Sequence, residues 1–184
     1  MKKTGYNIIQ FSLSKELQHG MMVSILAGEL ARKAGLSEEQ CHEMSIAGLL
    51  HDIGKLEMAK YVYQKGQKPL TIEEIKYVRL HPTLGYAITS QNHYSDFIIK
   101  SILYHHENYD GSGYPSNLSG KEIPLGARIL RVCDVFCALS QDRTYRKAFD
   151  RRTVIELMID EIKNFDLEVF LAFQRVVHAS QAGK

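Results

Sequence analysis

The chain has 184 residues, of which 45% are hydrophobic and 24% charged, which is ordinary for one globular domain with its own core. A formal net charge of +2 leaves no large basic field, so bulk nucleic-acid binding is excluded as a main function. The sequence contains no run of about 18 apolar residues, so no membrane span is predicted. Three cysteines without a CxxC pair favour a reducing cytoplasm, so we expect a single cytoplasmic domain over residues 1–184.

Helical periodicity runs along nearly the whole chain. Apolar residues recur at helical spacing from Leu13 to Leu30, and the start signals at Ser37 and Thr71 each predict a further helix with a capping box. The remaining predicted helices begin near Asp96, Pro124, Arg151 and Asp166. No alternating pattern typical of a strand is found, so the prediction is an all-α bundle of about seven helices.

One long loop interrupts this helical pattern between Asn108 and Pro124. Loops of this length inside compact helical domains are uncommon, and they are usually either functional or disordered. The Asp110-Gly111 turn signal and the aromatic residues Tyr109 and Tyr114 favour an ordered loop. We therefore expect this loop to contribute to a functional site.

Histidine and aspartate residues mark the ends or apolar faces of several predicted helices. Each has an ordinary structural explanation when taken alone, such as a buried core histidine at His19 or an arginine partner for Asp134. Together, imidazole and carboxylate groups without thiolates suit Fe, Mn, Zn or Ni. Seven ligands are too many for one metal, so two metals sharing an aspartate are predicted. The candidate ligands are His19, His51, Asp52, His81, His105, His106 and Asp134.

The order and spacing of these motifs resemble the HD-GYP family of the HD phosphohydrolase superfamily. The resemblance covers roughly residues 19–166, the motif-bearing core, and implies an HD-domain helical bundle with an HD-GYP loop. The matching motifs are His51-Asp52-Ile53-Gly54-Lys55, His81-Pro82, His105-His106-Glu107, Asp110-Gly111-Ser112-Gly113-Tyr114-Pro115, Arg128-Ile129-Leu130, Asp134 and Arg143-Thr144-Tyr145-Arg146.

The resemblance also implies a function and a role for each matching residue. The implied activity is hydrolysis of cyclic di-GMP by a hydroxide that two divalent transition metals activate, with Fe or Mn favoured over Zn or Ni. Asp52 would bridge the two metals as a catalytic residue, and Lys55 would contact the scissile phosphate. Tyr114 offers a surface on which a planar guanine can stack. The implied substrate-binding residues are Lys55, Gly113, Tyr114, Pro115, Arg143 and Arg146.

Two departures from the family pattern keep alternatives open. Some relatives bind a third metal through a glutamate one turn before the first histidine; here Lys15 holds that position, and Glu16 is expected about 100° off that face. Cys137 stands where the family usually has a second aspartate. One alternative is therefore a weakly active or degenerate domain that binds signalling proteins through its GYP surface. Another is a phosphohydrolase that acts on a different cyclic or linear nucleotide.

Overall fold

Nine α-helices form the described part of the chain, and they pack as the all-α bundle that the sequence predicts. The computed structural model describes residues 13–62, 71–142 and 146–182, with the backbone alone for 59–62 and 180–182. The helices are α1 (Leu13–Lys33), α2 (Glu38–Leu50), α3 (Gly54–Val62), α4 (Ile72–Val78), α5 (His81–Gln91), α6 (Asp96–Leu103), α7 (Leu125–Leu139), α8 (Arg151–Asp160) and α9 (Leu167–Ala182).

The helices α3 and α5 are additions to the seven that periodicity predicts. Their first residues belong to the metal-ligand motifs, and α5 starts with a proline in its first turn. The two helices cross closely at Gly54, where a Cβ atom would lie 2.8 Å from the Gly85 amide nitrogen. This contact places the start of α3 beside His81, the first residue of α5.

Helices α1 and α2 also approach each other through glycine. A Cβ atom on Gly48 would lie 2.8 Å from Ser24 Cα, and one on Gly20 would lie 2.8 Å from the Leu49 carbonyl oxygen. No larger residue fits at either position without moving a helix backbone. The close approach brings the ring of His19 within 5.3 Å of the ring of His51, measured between centroids.

The apolar helix α7 lies at the centre of the bundle, where it packs against α1, α6, α8 and α9. Its residues Leu130, Cys133 and Cys137 are buried with Phe170 and Phe173 of α9. Both cysteines are free thiols, and burial raises the pKa of Cys137 to about 12, so this side chain is a neutral apolar group. Among the described helices, none combines the length and apolar content needed to cross a membrane.

The Gly48 contact predicts that Gly48→Val lowers the free energy of unfolding by at least about 1 kcal/mol, because the added side chain collides with the α1 backbone. Urea denaturation of the variant measures this change. His42→Ala, an exposed substitution on the same helix, is the control and should be nearly neutral. Equal stability of the two variants would show that α1 and α2 can move apart without lowering the free energy of unfolding.

Candidate metal centre and active site

All seven predicted metal ligands converge on one region of the bundle, where they form two adjoining groups. Helix ends supply most of them, while α1 and α7 each supply one from within a helix. The first group, which we name the Asp134 cluster, comprises His19, His51 and Asp134. The second, the Asp52 cluster, comprises Asp52, His81, His105 and His106. Within each cluster the candidate ligand atoms lie within 4.8 Å of one another.

The Asp134 cluster joins α1, α2 and α7. His19 Nε2 lies 3.0 Å from Asp134 Oδ1, and His51 Nε2 lies 3.7 Å from the same oxygen. Asp134 therefore faces imidazoles and not an arginine, since Arg128 pairs with Asp166 and Arg131 donates to Asn108. The arginine partnership that the sequence left open for Asp134 is not formed.

The Asp52 cluster lies directly beside the Asp134 cluster. His81 Nε2 lies 3.2 Å from Asp52 Oδ1, 3.3 Å from His105 Nε2 and 3.1 Å from His106 Nε2. Asp52 Oδ2 also lies 3.3 Å from His51 Nε2, so this carboxylate contacts histidines of both clusters. Asp52 is thus the group that connects the two clusters.

Hydrogen bonds on the outer side of four histidine rings fix the tautomer of each. His51, His81 and His105 each donate from Nδ1 to the backbone carbonyl three residues earlier, at 2.8, 2.7 and 2.6 Å. His19 donates from Nδ1 to Gln141 Oε1 at 3.0 Å. A neutral ring that carries its proton on Nδ1 presents a bare Nε2 lone pair. In their neutral form, all four rings would therefore present bare Nε2 atoms to the centre, as metal-ligating histidines do.

The charges of the two carboxylates require positive charge inside the site. Burial opposes ionisation of Asp52, but the charges of Lys55 and His51 hold the pKa of this carboxyl well below its usual range. Burial likewise opposes a charge on His51, yet Asp52 and Asp134 raise the pKa of this imidazole to about 10. Burial lowers the pKa of His106 to about 3, so this ring is neutral. Either a proton or a divalent cation can satisfy the carboxylates.

Two buried atoms make the case for a cation stronger. His51 Nε2 and Asp52 Oδ1 are buried and have no hydrogen bond among the described residues. An unpaired polar atom in the interior is costly, and metal coordination would satisfy both. Five imidazoles and two carboxylates without a thiolate also suit a divalent transition metal. The residues present therefore fit metal binding.

Lys55, in the first turn of α3, lies at the edge of the Asp52 cluster. Its Nζ donates to Asp52 Oδ2 at 2.5 Å and lies 3.9 Å from Glu16 Oε2. Glu16, expected about 100° from the face of Lys15, thus lies near Lys55; it precedes His19 by three residues, and residues three apart on a helix share a face. Lys55 is therefore held between two carboxylates.

The predicted GYP loop packs directly on the Asp52 cluster. Tyr114 stacks on His106, with ring centroids 4.8 Å apart and planes at 25°. A Cβ atom on Gly113 would lie 2.5 Å from both Glu107 Cα and the His106 carbonyl oxygen, so only glycine permits this approach. Pro115 follows at the exposed edge of the loop. These contacts explain the glycine and the tyrosine of the Gly-Tyr-Pro sequence that follows the two histidines.

Glu107 anchors the loop, a role that sequence reasoning missed although the residue adjoins two ligands. The side chain is 1% exposed, and Oε1 accepts a 2.6 Å hydrogen bond from the Ser116 amide. Burial raises the pKa of Glu107, while hydrogen bonds from loop amides oppose that shift. The burial of an acidic side chain among loop amides is the signal that indicates this anchoring role of Glu107, and it is visible only in the fold.

Of the two predicted phosphate-binding arginines, Arg146 is within the described residues, where it contacts the end of α7 and not the clusters. Arg143 lies outside the described residues. Arg146 donates from Nη1 and Nη2 to carbonyl oxygens of Leu139 and Ala138 at the end of α7, each at 3.0 Å, and lies over the Phe149 ring. Arg146 therefore caps a helix here, and a phosphate contact would require these bonds to exchange.

Gln141 is a second residue that sequence reasoning missed. Its amide oxygen accepts from His19 Nδ1, and its amide nitrogen donates to Met22 Sδ at 3.0 Å. The other three Nδ1 groups use backbone carbonyls, so only for His19 among these four does the outer hydrogen bond depend on a side chain. Gln141 thus orients one ligand from the segment that follows α7.

Comparison with known proteins shows the family to which the chain belongs. A sequence model described as "HD domain" matches residues 3–169, so the chain belongs to the HD domain family. It is 38% identical over 160 residues to "Cyclic di-GMP phosphodiesterase PA4108" of Pseudomonas aeruginosa, covering 86% of this chain and 38% of the relative.

A second relative and a solved structure extend the comparison. The chain is 32% identical over 166 residues to "3'3'-cGAMP-specific phosphodiesterase 1" of Vibrio cholerae, covering 89% of this chain and 38% of that protein. Bd1817, an HDG"Y"P protein from Bdellovibrio bacteriovorus, shares the fold with a TM-score of 0.70 and 21% identity, over 92% of this chain and 55% of that one. The chain thus spans well under half the length of both sequence relatives.

The Gln141 contact predicts that Gln141→Leu weakens metal binding at the Asp134 cluster by about 10- to 100-fold, because His19 loses the partner that fixes its tautomer. Competition with a chelator measures the affinity. Gln141→Glu retains an acceptor and should keep the wild-type affinity or exceed it. Gln18→Leu, an exposed glutamine one residue before His19, is the control. If all three variants bind metal like the wild type, Gln141 does not orient the ligand.

Proposed function

We propose that this chain is a metal-dependent phosphodiesterase that hydrolyses cyclic di-GMP. The observation that carries the proposal is the pair of clusters connected by Asp52, with Lys55 at the edge. Two adjoining metal sites that share a carboxylate are a recurrent arrangement for in-line displacement at phosphorus. The names of the relatives, cyclic di-GMP and 3'3'-cGAMP phosphodiesterases, support this reaction and this class of substrate.

The proposed ligands would hold two divalent metals, one in each cluster, with Asp52 between them. When bound, the metals would supply Lewis acidity and a water molecule acidified for attack. We propose Fe or Mn as the native metals because the resemblance to the HD-GYP family favours them, with Zn or Ni as alternatives that imidazole and carboxylate ligands also accept.

The residues of the chain would orient the substrate and stabilise charge. Asp52, as the connecting carboxylate, would set the distance between the two metals. Lys55 Nζ, which donates to Asp52 at 2.5 Å, would give a hydrogen bond to a phosphoryl oxygen and stabilise the charge that develops there. Gly113, Tyr114 and Pro115 would bound the substrate on the side of His106. Arg143 and Arg146 are proposed to contact the phosphates from the segment after α7.

The extent of the domain, its location in the cell and its partners are also proposals. We propose a single HD-GYP domain over residues 1–184, with its motif-bearing core at 19–166, acting in the bacterial cytoplasm. The exposed side chains of Pro115 and Ser116 on the GYP loop offer a surface for signalling proteins. We do not propose binding to bulk nucleic acid, because the net charge is only +2.

A second candidate substrate is another cyclic dinucleotide, favoured by the likeness to the Vibrio cholerae enzyme named for 3'3'-cGAMP. Attack at phosphorus would use the same residues, so only contacts to the bases would differ. A purely interacting domain is a weaker candidate. Cys137, the departure that suggested it, lies in the hydrophobic core and belongs to neither ligand cluster.

The shared carboxylate predicts different metal losses in two variants. Asp52→Ala should lose both metals, because its side chain contacts histidines of both clusters. His106→Ala should lose chiefly the metal of the Asp52 cluster. Elemental analysis after metal-replete purification measures both results, with His42→Ala, an exposed histidine, as the control. Reproducible binding of one metal or three by the wild type would contradict the dinuclear proposal, as would equal losses in the two variants.

The position of Lys55 predicts a variant that keeps metal and loses turnover. Lys55→Ala removes a donor to the phosphate but no ligand, and removal of one such donor commonly costs about 100- to 1000-fold in kcat. Turnover of cyclic di-GMP at matched metal content measures this. Lys100→Ala, which removes an exposed lysine paired with Asp96, is the control. If Lys55→Ala turns over like the wild type, Lys55 does not touch the reacting phosphate.

A further inference from the structure

Arg79 lies at the mouth of the metal centre, at the end of α4 and two residues before the proposed ligand His81. Its guanidinium carbon is 5.2 Å from the centroid of the Tyr114 ring. The same Tyr114 ring stacks on His106. A continuous line of contacts therefore leads from a proposed metal ligand, through Tyr114, to the exposed cation of Arg79.

Three other cations near the site, among the residues that the structure describes, are already engaged by the protein. Lys55 donates to Asp52, Arg131 to Asn108, and Arg146 to carbonyl oxygens at the end of α7. Arg79 makes no side-chain hydrogen bond or ion pair with any residue in the described ranges 13–62, 71–142 and 146–182. Of these four cations, Arg79 is the one that is exposed and has no such partner, so its N–H groups are available to an anion.

The contact with Tyr114 suits this use of the guanidinium. A guanidinium over an aromatic ring is attracted by the negative face of the ring, and this contact restricts the mobility of a long side chain. Its N–H donors lie in the plane of the group, so an arginine that packs by its face keeps its edge available for a bidentate bond to phosphate. Tyr114 therefore holds the cation ready before a substrate arrives.

A cyclic dinucleotide carries two phosphodiester groups, each with one negative charge. Only one of them can lie at the metal centre during attack, and the other must lie elsewhere on the protein. We propose that Arg79 binds this second phosphate, with Tyr114 as its support; the proposal rests on the function proposed above. Tyr114 then serves the substrate by carrying a cation, not by stacking directly on a guanine.

Two probes that differ in the number of phosphates test the proposal. Cyclic di-GMP has two phosphodiesters, whereas bis(p-nitrophenyl) phosphate has one. Arg79→Ala should raise the KM for cyclic di-GMP by about 10- to 100-fold, as expected for loss of a hydrogen bond to a charged group, and leave kcat and metal content unchanged. The KM for bis(p-nitrophenyl) phosphate should not change. Arg79→Lys, which keeps the charge without the fork, should restore part of the affinity.

The control is Arg152→Ala, which removes an exposed arginine paired with Glu156 on α8 and should affect neither probe. Equal effects of Arg79→Ala on both probes would show that Arg79 acts through the metal centre or through loop stability, and would overturn the proposal. The absence of any effect would also overturn it.

Failure of the proposed function gives a different result. If the wild type cleaves bis(p-nitrophenyl) phosphate but not cyclic di-GMP, the proposed substrate is wrong. Inhibition of that cleavage by cyclic di-GMP then tests Arg79 directly. Weaker inhibition of Arg79→Ala than of the wild type supports the second-phosphate site, whereas equal inhibition, or none of either protein, overturns it.

Discussion

Two carboxylates, Asp52 and Asp134, lie among five imidazoles inside a helical bundle, and their need for positive charge governs the arrangement around them. Uncompensated charge in a protein interior is expensive. Four of the histidines donate outward from Nδ1, so their Nε2 atoms face the carboxylates and could carry a proton or ligate a metal ion. Either would supply the positive charge, and the donor set of the region therefore suits a cation.

Close helix contacts at glycines make this convergence possible. Gly48 lets α2 lie against α1, which brings His51 to His19, and Gly54 lets α3 lie against α5, which brings Lys55 and His81 to the same place. Gly113 does the same for the loop that carries Tyr114. In each case the absent side chain matters because backbone from another segment occupies the space. The site therefore depends on packing as much as on the ligands themselves.

The local patterns of the sequence predicted much of this architecture. The capping boxes at Ser37 and Thr71 form as expected, with Gln40 and Glu74 as their partners. The amphipathic periodicity located the long helices, because burial of one face follows directly from spacing. The seven candidate ligands stood out because histidines and aspartates at helix ends or on apolar faces have few other ways to be satisfied, and the structure brings them together.

The remaining features depend on contacts between distant parts of the chain. Gln141 and His19 are separated by 122 positions, so no local pattern indicates their hydrogen bond. Helices α3 and α5 begin inside ligand motifs, and glycine and proline there conceal their start. The family resemblance assigns Arg146 to the substrate phosphates, whereas in the structure it donates to carbonyl oxygens at the end of α7, a contact that only the fold determines. The role proposed for Arg79 follows only from its position over Tyr114, which the sequence does not show.

The central claim is that the two clusters are two metal sites joined by Asp52. Anomalous diffraction from crystals grown with Mn²⁺ tests it most directly, because the signal locates each ion without reference to activity. The account predicts two peaks, one among His19, His51 and Asp134 and the other among His81, His105 and His106, with Asp52 between them. A single peak shared by both clusters, or peaks elsewhere in the molecule, would contradict it.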